Sequence, residues 1–354
     1  MKYKFEDIIF NITEKKKPSD EDKLNYIGLE HLESGSLFIN SWGSERTPDG
    51  EKIVMKKGDV LFGKRRAYQK KVAISPCDGI FSAHGMVLRP KEDVICKDFL
   101  PFFISSDTFL NEAIRISVGG LSPTINWKDI KELEFELPSI EDQKIISDKL
   151  WAAYELKRSY QDMIKATDEM VKSQFIEMFD FEDLTLSNPS NSFSKKCYDD
   201  TSSATKVAAA DYQKSGRYAI YDQSQDCNIA GFTDSEEGLC YNYPAVLFGD
   251  HSRVVKYINQ PFYIGADGVK IIRPKEEDLL PEFLYYDLLY HNIPNTGYNR
   301  HFKYVKMLRL TEATINKQKK FLQIAHQADK SKFELKKAIE AIDKVIKSLI
   351  NENL

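Results

Sequence analysis

Two stretches of the chain, Ile140 to Phe179 and about Asn316 to the C-terminus, contain neither proline nor glycine and repeat apolar residues at helical spacing. In the first, Ile146, Leu150, Ala153, Leu156, Tyr160, Met163, Thr167 and Met170 step by 4, 3, 3, 4, 3, 4 and 3. In the second, Leu335, Ile339, Ile342, Ile346 and Leu349 step by 4, 3, 4 and 3. Both read as coiled-coil seams on long polar helices, the first with one irregular step. A helix of that length is a rod of roughly 57 Å at 1.5 Å per residue. Ser139 is placed to cap the first, with Glu141 and Asp142 in its opening turn, where the macrodipole favours acids. Each seam needs an apolar partner, and the other seam is the obvious one; packing against other subunits is the alternative.

Between the helices the pattern changes to short runs with turn residues. Lys52–Met55, Asp59–Gly63, Val72–Ile74 and Gly85–Arg89 read as strands, followed by a helix over Phe99–Ile114. Ala245–Gly249, Val254–Ile258 and Gly268–Ile272 read as strands too, followed by a helix over Pro281–Tyr290. Ser187–Ala204, rich in Ser, Asn and Asp, reads as a loop.

These two regions repeat one another. Val60-Leu61-Phe62-Gly63 returns 186 residues later as Val246-Leu247-Phe248-Gly249. Arg89-Pro90-Lys91-Glu92-Asp93 returns 184 later as Arg273-Pro274-Lys275-Glu276-Glu277, and Phe99-Leu100 as Phe283-Leu284. Trp127, Ile130, Leu133 and Gln143 match Phe302, Val305, Leu308 and Gln318 at 175. Ordered matches with drifting offsets indicate a tandem duplication with unequal loops. The expected division is a first globular domain over 1–138, a spacer helix over 139–180, a second domain over 181–314 and a C-terminal helix over 315–354. The fold class is α+β: two similar mixed domains and two long helices.

A chain of 354 residues has room for about two domains. Its 42% hydrophobic and 29% charged residues suit a folded soluble protein. The net charge of −4 excludes a chain that is basic throughout, so any nucleic-acid contact must come from local patches. Five cysteines without a C-x-x-C pair point to reduced thiols and a cytoplasmic protein, not to disulfides or zinc. No signal peptide and no membrane span is legible. Phosphate-cradling and G-x-G nucleotide loops are absent, and so is the N-P-P-[YF] tetrapeptide of amino-methyltransferases; Asn188-Pro189-Ser190 lacks its second proline and its aromatic. Asp7 with Glu21-Asp22-Lys23 is a weak nuclease-like pattern that reads better as a solvated loop. The six histidines share no metal-ligand spacing. The expectation is a chain with no catalytic residues and no metal.

Binding chemistry remains. Gly63 to Lys71 carries Lys64, Arg65, Arg66, Lys70 and Lys71 around Tyr68 and Gln69, just after a strand. Lys and Arg neutralise phosphates, Arg reads guanine bidentately and Gln reads adenine. The same run is also what a solvated face looks like. The second copy carries His251, Ser252 and Arg253 at that point, so the scaffold is kept and the reading residues differ. A second candidate surface is the loop before each long helix: Ser122, Thr124 and Asn126 in copy one, Tyr298, Asn299, Arg300, His301 and Lys303 in copy two.

These residues resemble the specificity (S) subunit of type I restriction-modification systems. The carrying segments are Gly58 to Tyr68, Lys71 to Ile74, Val87 to Pro90, and Leu137-Pro138-Ser139-Ile140-Glu141-Asp142-Gln143-Lys144-Ile145-Ile146, which is similar to the family's L-P-P-[LI]-x-E-Q-x-x-I helix start. Gly216 to Tyr221 through Gly231-Phe232-Thr233 resembles the opening of a target-recognition domain. Ser139 and Asp142 depart from the motif, and the second start, Thr311 to Gln318, has no proline. The resemblance implies two target-recognition domains related by a pseudo-twofold axis, with the helices as an antiparallel coiled coil. It implies a bipartite site in double-stranded DNA, two methyltransferase (M) subunits and restriction/translocase (R) subunits as partners, and no membrane association. S-adenosylmethionine, ATP and Mg²⁺ would be held by the partner subunits, none by this chain. A coiled-coil protein-binding adaptor without DNA specificity, or a free-standing enzyme with an unusual site, would stand outside the resemblance.

Overall fold

The structure, a computed structural model, describes residues 1–181, 193–265 and 268–353. It divides into two compact units: residues 1–162 with 336–354, and residues 163–335. Each unit therefore contains part of both long helices, Ile140–Phe179 and Ile315–Asn353.

The first unit is built on an antiparallel sheet ordered Ile9–Ile12, Met86–Pro90, Val60–Phe62, Val72–Ile74. The second unit has the same sheet in the same order: Cys197–Asp199, Val269–Pro274, Ala245–Gly249, Val255–Ile258. The register matches as well. Val60 pairs with Leu88 and Val246 with Ile272, as the 186- and 184-residue offsets require. The second sheet of each unit differs. In the first, Lys15–Lys16, Lys52–Met55, Gly79–Phe81 and Tyr26–Ile27 form a mixed sheet closed by a parallel pair. In the second, Lys206–Val207 and Tyr218–Tyr221 both run parallel to Phe262–Gly265, with Gly231–Thr233 antiparallel at the edge. One layer of the duplicated domain is kept, and the other has been rebuilt.

The helix expected over Phe99–Ile114 is two helices, Leu100–Ser105 and Asp107–Arg115. Ser106 breaks it with an extended backbone. Its hydroxyl donates to the Phe103 carbonyl at 2.6 Å and accepts from the Phe109 amide at 3.1 Å, so one side chain serves both ends. The broken helix then presents Phe102, Phe103 and Phe109 to a core shared with Phe5, Phe62 and Phe135. Of the Ser187–Ala204 loop, residues 187–192 lie outside the described residues. The rest holds the short helix Phe193–Lys196 and the strand Cys197–Asp199, because that segment supplies the edge of the second unit's first sheet.

Two buried glutamines fasten the long helices. Gln143 accepts from the Cys96 amide at 2.7 Å and donates to the carbonyls of Val94 (3.1 Å) and Pro138 (3.0 Å). Gln318 accepts from the Leu280 amide at 2.9 Å and donates to the carbonyls of Asp278 (2.7 Å) and Ala313 (2.9 Å). The partners correspond through the same offsets as the sequence repeats. Ser139 caps the first helix, its hydroxyl accepting from the Asp142 amide at 3.2 Å; Thr314 takes that place in the second and accepts from the Lys317 amide at 3.4 Å. The second start has lost its proline but kept its cap.

The first seam differs from the sequence expectation at three of its eight positions. Leu156, Met163 and Met170 are 44%, 51% and 44% exposed. Lys157, Ile164 and Val171, each one residue on, face inward instead. The stripe Ile146, Leu150, Ala153, Lys157, Tyr160, Ile164, Thr167, Val171 is then regular in steps of 4 and 3, and the irregular step disappears. Charge hid Lys157 from an apolar search, yet its aliphatic stem packs while the ammonium reaches out. In the second helix Leu335, Ile339, Ile342, Ile346 and Leu349 keep their inward places. Within the first unit, Ile146, Leu150 and Ala153 share a core with Ile342, Ile346 and Leu349. Within the second, Phe175 meets Phe321 at 5.1 Å and Asp168 meets Lys332 at 2.6 Å, so the two helices run antiparallel there.

Replacing Gln143 with Ala leaves a buried amide and two carbonyls unpaired. The expected loss is about 3 kcal/mol in the first unit, with Gln318→Ala costing the second unit the same. Denaturant unfolding followed by hydrogen exchange in each unit measures both; losses below about 1 kcal/mol would contradict the clamp.

Candidate nucleic-acid interface

In each unit the strand Val60–Phe62 or Ala245–Gly249 ends in a loop that is hydrogen-bonded to the loop before the long helix. In the first unit Ile125 donates to the Lys64 carbonyl at 2.9 Å and Arg66 to the Pro123 carbonyl at 2.7 Å. Val118 and Thr124 exchange bonds of 3.0 and 2.9 Å, making a hairpin of the Gly119-Gly120 turn. Arg66 sits in the left-handed region at φ 55°, and its Nε donates to Ser122 Oγ at 3.3 Å. The two sequence-predicted surfaces of copy one are therefore a single surface. It presents Arg65, Arg66 and Tyr68 outward, with half-buried Gln69, Ser122 and Thr124 beside them and Asn126 exposed at the rim.

The nine-residue basic run does not all face outward. Lys70 pairs with Asp107 at 2.8 Å, and Lys71 donates to the Leu29 carbonyl at 2.7 Å. Lys64 is half-buried; desolvation, then the nearby Lys15 charge, hold its ammonium below the usual range. His84, 3.5 Å from Arg65, is pushed down in the same way by burial and by Arg65, Lys64 and Lys52. Among the described residues Arg65 and Arg66 form no ion pair, so this surface carries uncompensated positive charge. Sequence reasoning missed Leu121 and Val118 at the hairpin tip, 98% and 63% exposed. The Gly-Gly turn between apolar residues was the available signal.

In the second unit Asp250 joins the loops. Its carbonyl accepts from the His301 amide at 2.8 Å and its carboxylate from the Phe302 amide at 2.7 Å. His301 is fully buried, with Nδ1 2.9 Å from the Asp250 carbonyl and Nε2 3.3 Å from the Thr296 amide nitrogen. It braces the loop and is no surface contact, contrary to the sequence expectation. Arg253, in the left-handed region at φ 63°, also turns inward and donates to the Ile293 carbonyl at 3.0 Å. The two were indistinguishable from exposed neighbours by residue type alone; a tertiary carbonyl decides each. The outward set is Tyr298, 90% exposed and stacked on His251 at 4.8 Å, with Asn299, Arg300 and Lys303; Ser252 lies beside them, its carbonyl held by Gln225. Flat aromatic faces beside guanidinium and amide groups suit bases and phosphates. Among the described residues no group of three or more His, Cys, Asp or Glu could hold a metal, and Asp22 of the nuclease-like pattern is paired with Lys16 at 2.8 Å.

Residues 2–163 match the model of the type I restriction modification DNA specificity domain. Over its whole length the chain is similar to a chain from work titled "Structural basis underlying complex assembly and conformational transition of the type I R-M system". The identity is 18%, the TM-score 0.55, and the match covers 100% of this chain and 97% of that one. It is also similar to the type I restriction-modification S subunit from M. genitalium, at 14% identity and a TM-score of 0.54, over 99% and 94% of the two chains. At these identities the likeness is one of fold: the chain has the mixed α/β, long-helix fold of the S subunits. No curated protein matches it. The specificity-domain match ends at residue 163, and the duplicated first sheet and glutamine clamp carry the same construction into the second unit. No helix among the described residues is long and apolar enough to cross a membrane.

The two histidine-loop neighbours should separate cleanly. His301→Ala is expected to cost about 1–3 kcal/mol and to speed hydrogen exchange over 295–302. Arg300→Ala should leave both unchanged.

Proposed function

We propose that the chain is the DNA-reading, non-catalytic subunit of a type I restriction-modification enzyme, with one half-site of a bipartite sequence assigned to each unit. The observation that carries this reading is the pair of composite surfaces. The same two loops are bonded together at the same place in both units, but they present Arg65, Arg66 and Tyr68 in one and His251, Tyr298 and Arg300 in the other. A duplicated mount with unlike outward residues is what reading two different sequences requires. Phosphate contacts would come from the lysines and arginines, and base edges would be read by Arg, Gln and Asn. The exposed Leu121 tip suits a thymine methyl or a base face. The globular units and long helices match the S-subunit fold, which supports recruitment of two methyltransferase subunits and of restriction subunits. In this reading those partners hold S-adenosylmethionine, ATP and Mg²⁺, and flip and methylate the adenines. The setting is the cytoplasm, where the host DNA lies.

Binding by the complex with its methyltransferase subunits should fall steeply with salt. Arg66→Ala and Arg300→Ala should each weaken it by about 1–3 kcal/mol and relax specificity in one half-site only. Filter binding on duplexes altered in one half at a time measures this. Unchanged affinity in both variants would remove these loops from the DNA, and the absence of salt-dependent duplex binding, even with the methyltransferase subunits present, would favour a protein-binding adaptor.

A further inference from the structure

We infer that Lys157 and Lys332 set the register of the two long helices and, on the function proposed above, the length of the gap between half-sites. The regular seams of the helices correspond position by position at 175 residues, and each contains one lysine, at the same place. The Lys157 side chain is only 16% exposed and its ammonium lies 2.6 Å from Asp343; Lys332 is 21% exposed and lies 2.6 Å from Asp168. Asp168 and Asp343 are also 175 residues apart, so the two ion pairs are equivalent members of the repeat, one inside each unit.

The remaining seam positions are largely apolar or small, and a sevenfold repeat of such residues packs almost as well after a slip of one heptad. The lysines do not. A slip takes both ammonium groups away from the carboxylate of the facing helix. Lys332 keeps only Asp329 of its own helix, 2.8 Å away, whereas the 16% exposed Lys157 meets Lys336 or Ile350 in place of Asp343 and has no carboxylate, which is strongly disfavoured. One charged position in each seam therefore selects one alignment out of several that the apolar residues tolerate. Gln143 ties the first unit to the start of one helix, and Gln318 ties the second unit to the start of the other. Sliding the antiparallel helices by a heptad shifts these anchors by about 10 Å, or about three base pairs of B-DNA.

The test pairs Lys157→Met with Lys332→Met, since an apolar residue of similar length keeps the seam packed. The complex with methyltransferase subunits is given duplexes carrying both half-sites, as read from the host's own methylated sites, at gaps up to four base pairs either side of the natural one. Wild type is expected to methylate one gap. The variant is expected to gain at least tenfold in relative rate at a gap about three base pairs away. Spin labels at exposed Leu156 and Val345 report the alignment without DNA: one distance in wild type, a second and longer population in the variant. A folded variant with one gap and one distance overturns the inference. Wild type that methylates no duplex, while the variant shows two distances, overturns the proposed function and leaves the register role standing. If the methionine variant does not fold, charge exchange decides. Asp168→Lys with Asp343→Lys should relax the gap, and adding Lys157→Asp with Lys332→Asp should restore it; a reversed chain that keeps the natural gap is the contrary result.

Discussion

A side-chain amide, buried without water, has to find partners for its oxygen and both its N–H groups, and this requirement organises each half of the molecule. Gln143 and Gln318 meet it by bonding the loop after the first sheet and the residue before the helix cap. The long helices are thereby not appendages on flexible linkers. Their first turns are part of the globular cores, and whatever the units bind is held at a fixed angle to a helix start. The cost of leaving three groups unpaired in a dry site makes this arrangement far more exclusive than apolar packing alone.

Around that fixed joint the two copies diverge in an orderly way. The sheet nearest the clamp keeps its strand order and register, whereas the outer sheet has been rewired from a largely antiparallel to a largely parallel arrangement. The loops bonded between strand and helix keep their backbone connections and change their outward side chains. A scaffold under packing constraint and a rim free to vary is the division of labour expected of a recognition protein, where function sits on loops carried by a rigid frame.

What could be read in the sequence follows from the same division. The duplication, three of the four strands of the first sheet in each unit and the helix over Pro281–Tyr290 were legible, because they depend on local periodicity and on short matches that packing has preserved; the edge strands Ile9–Ile12 and Cys197–Asp199 were not. Ser106 was not: a single hydroxyl bonding in both directions turned one helix into two. Lys157 was passed over in favour of Leu156 because a periodicity search ranks charge as exposed, although a lysine stem can line a seam. The basic run after Val60–Phe62 looked uniform, and the structure splits it, since Asp107 and the Leu29 carbonyl claim two of its lysines. His301 and Arg253 went inward for the same reason. Which cation is free to meet a phosphate depends on carbonyls and carboxylates brought close only by the fold.

The central claim is that two unlike surfaces, held by paired helices, direct modification to a split site. The most direct measurement is a map of methylated adenines across a genome in which the chain is expressed with its methyltransferase subunits. The account predicts one bipartite motif with a fixed gap and a methylated adenine in each half, on opposite strands. An active methyltransferase in stable complex with the chain, yet leaving no such motif, would contradict it.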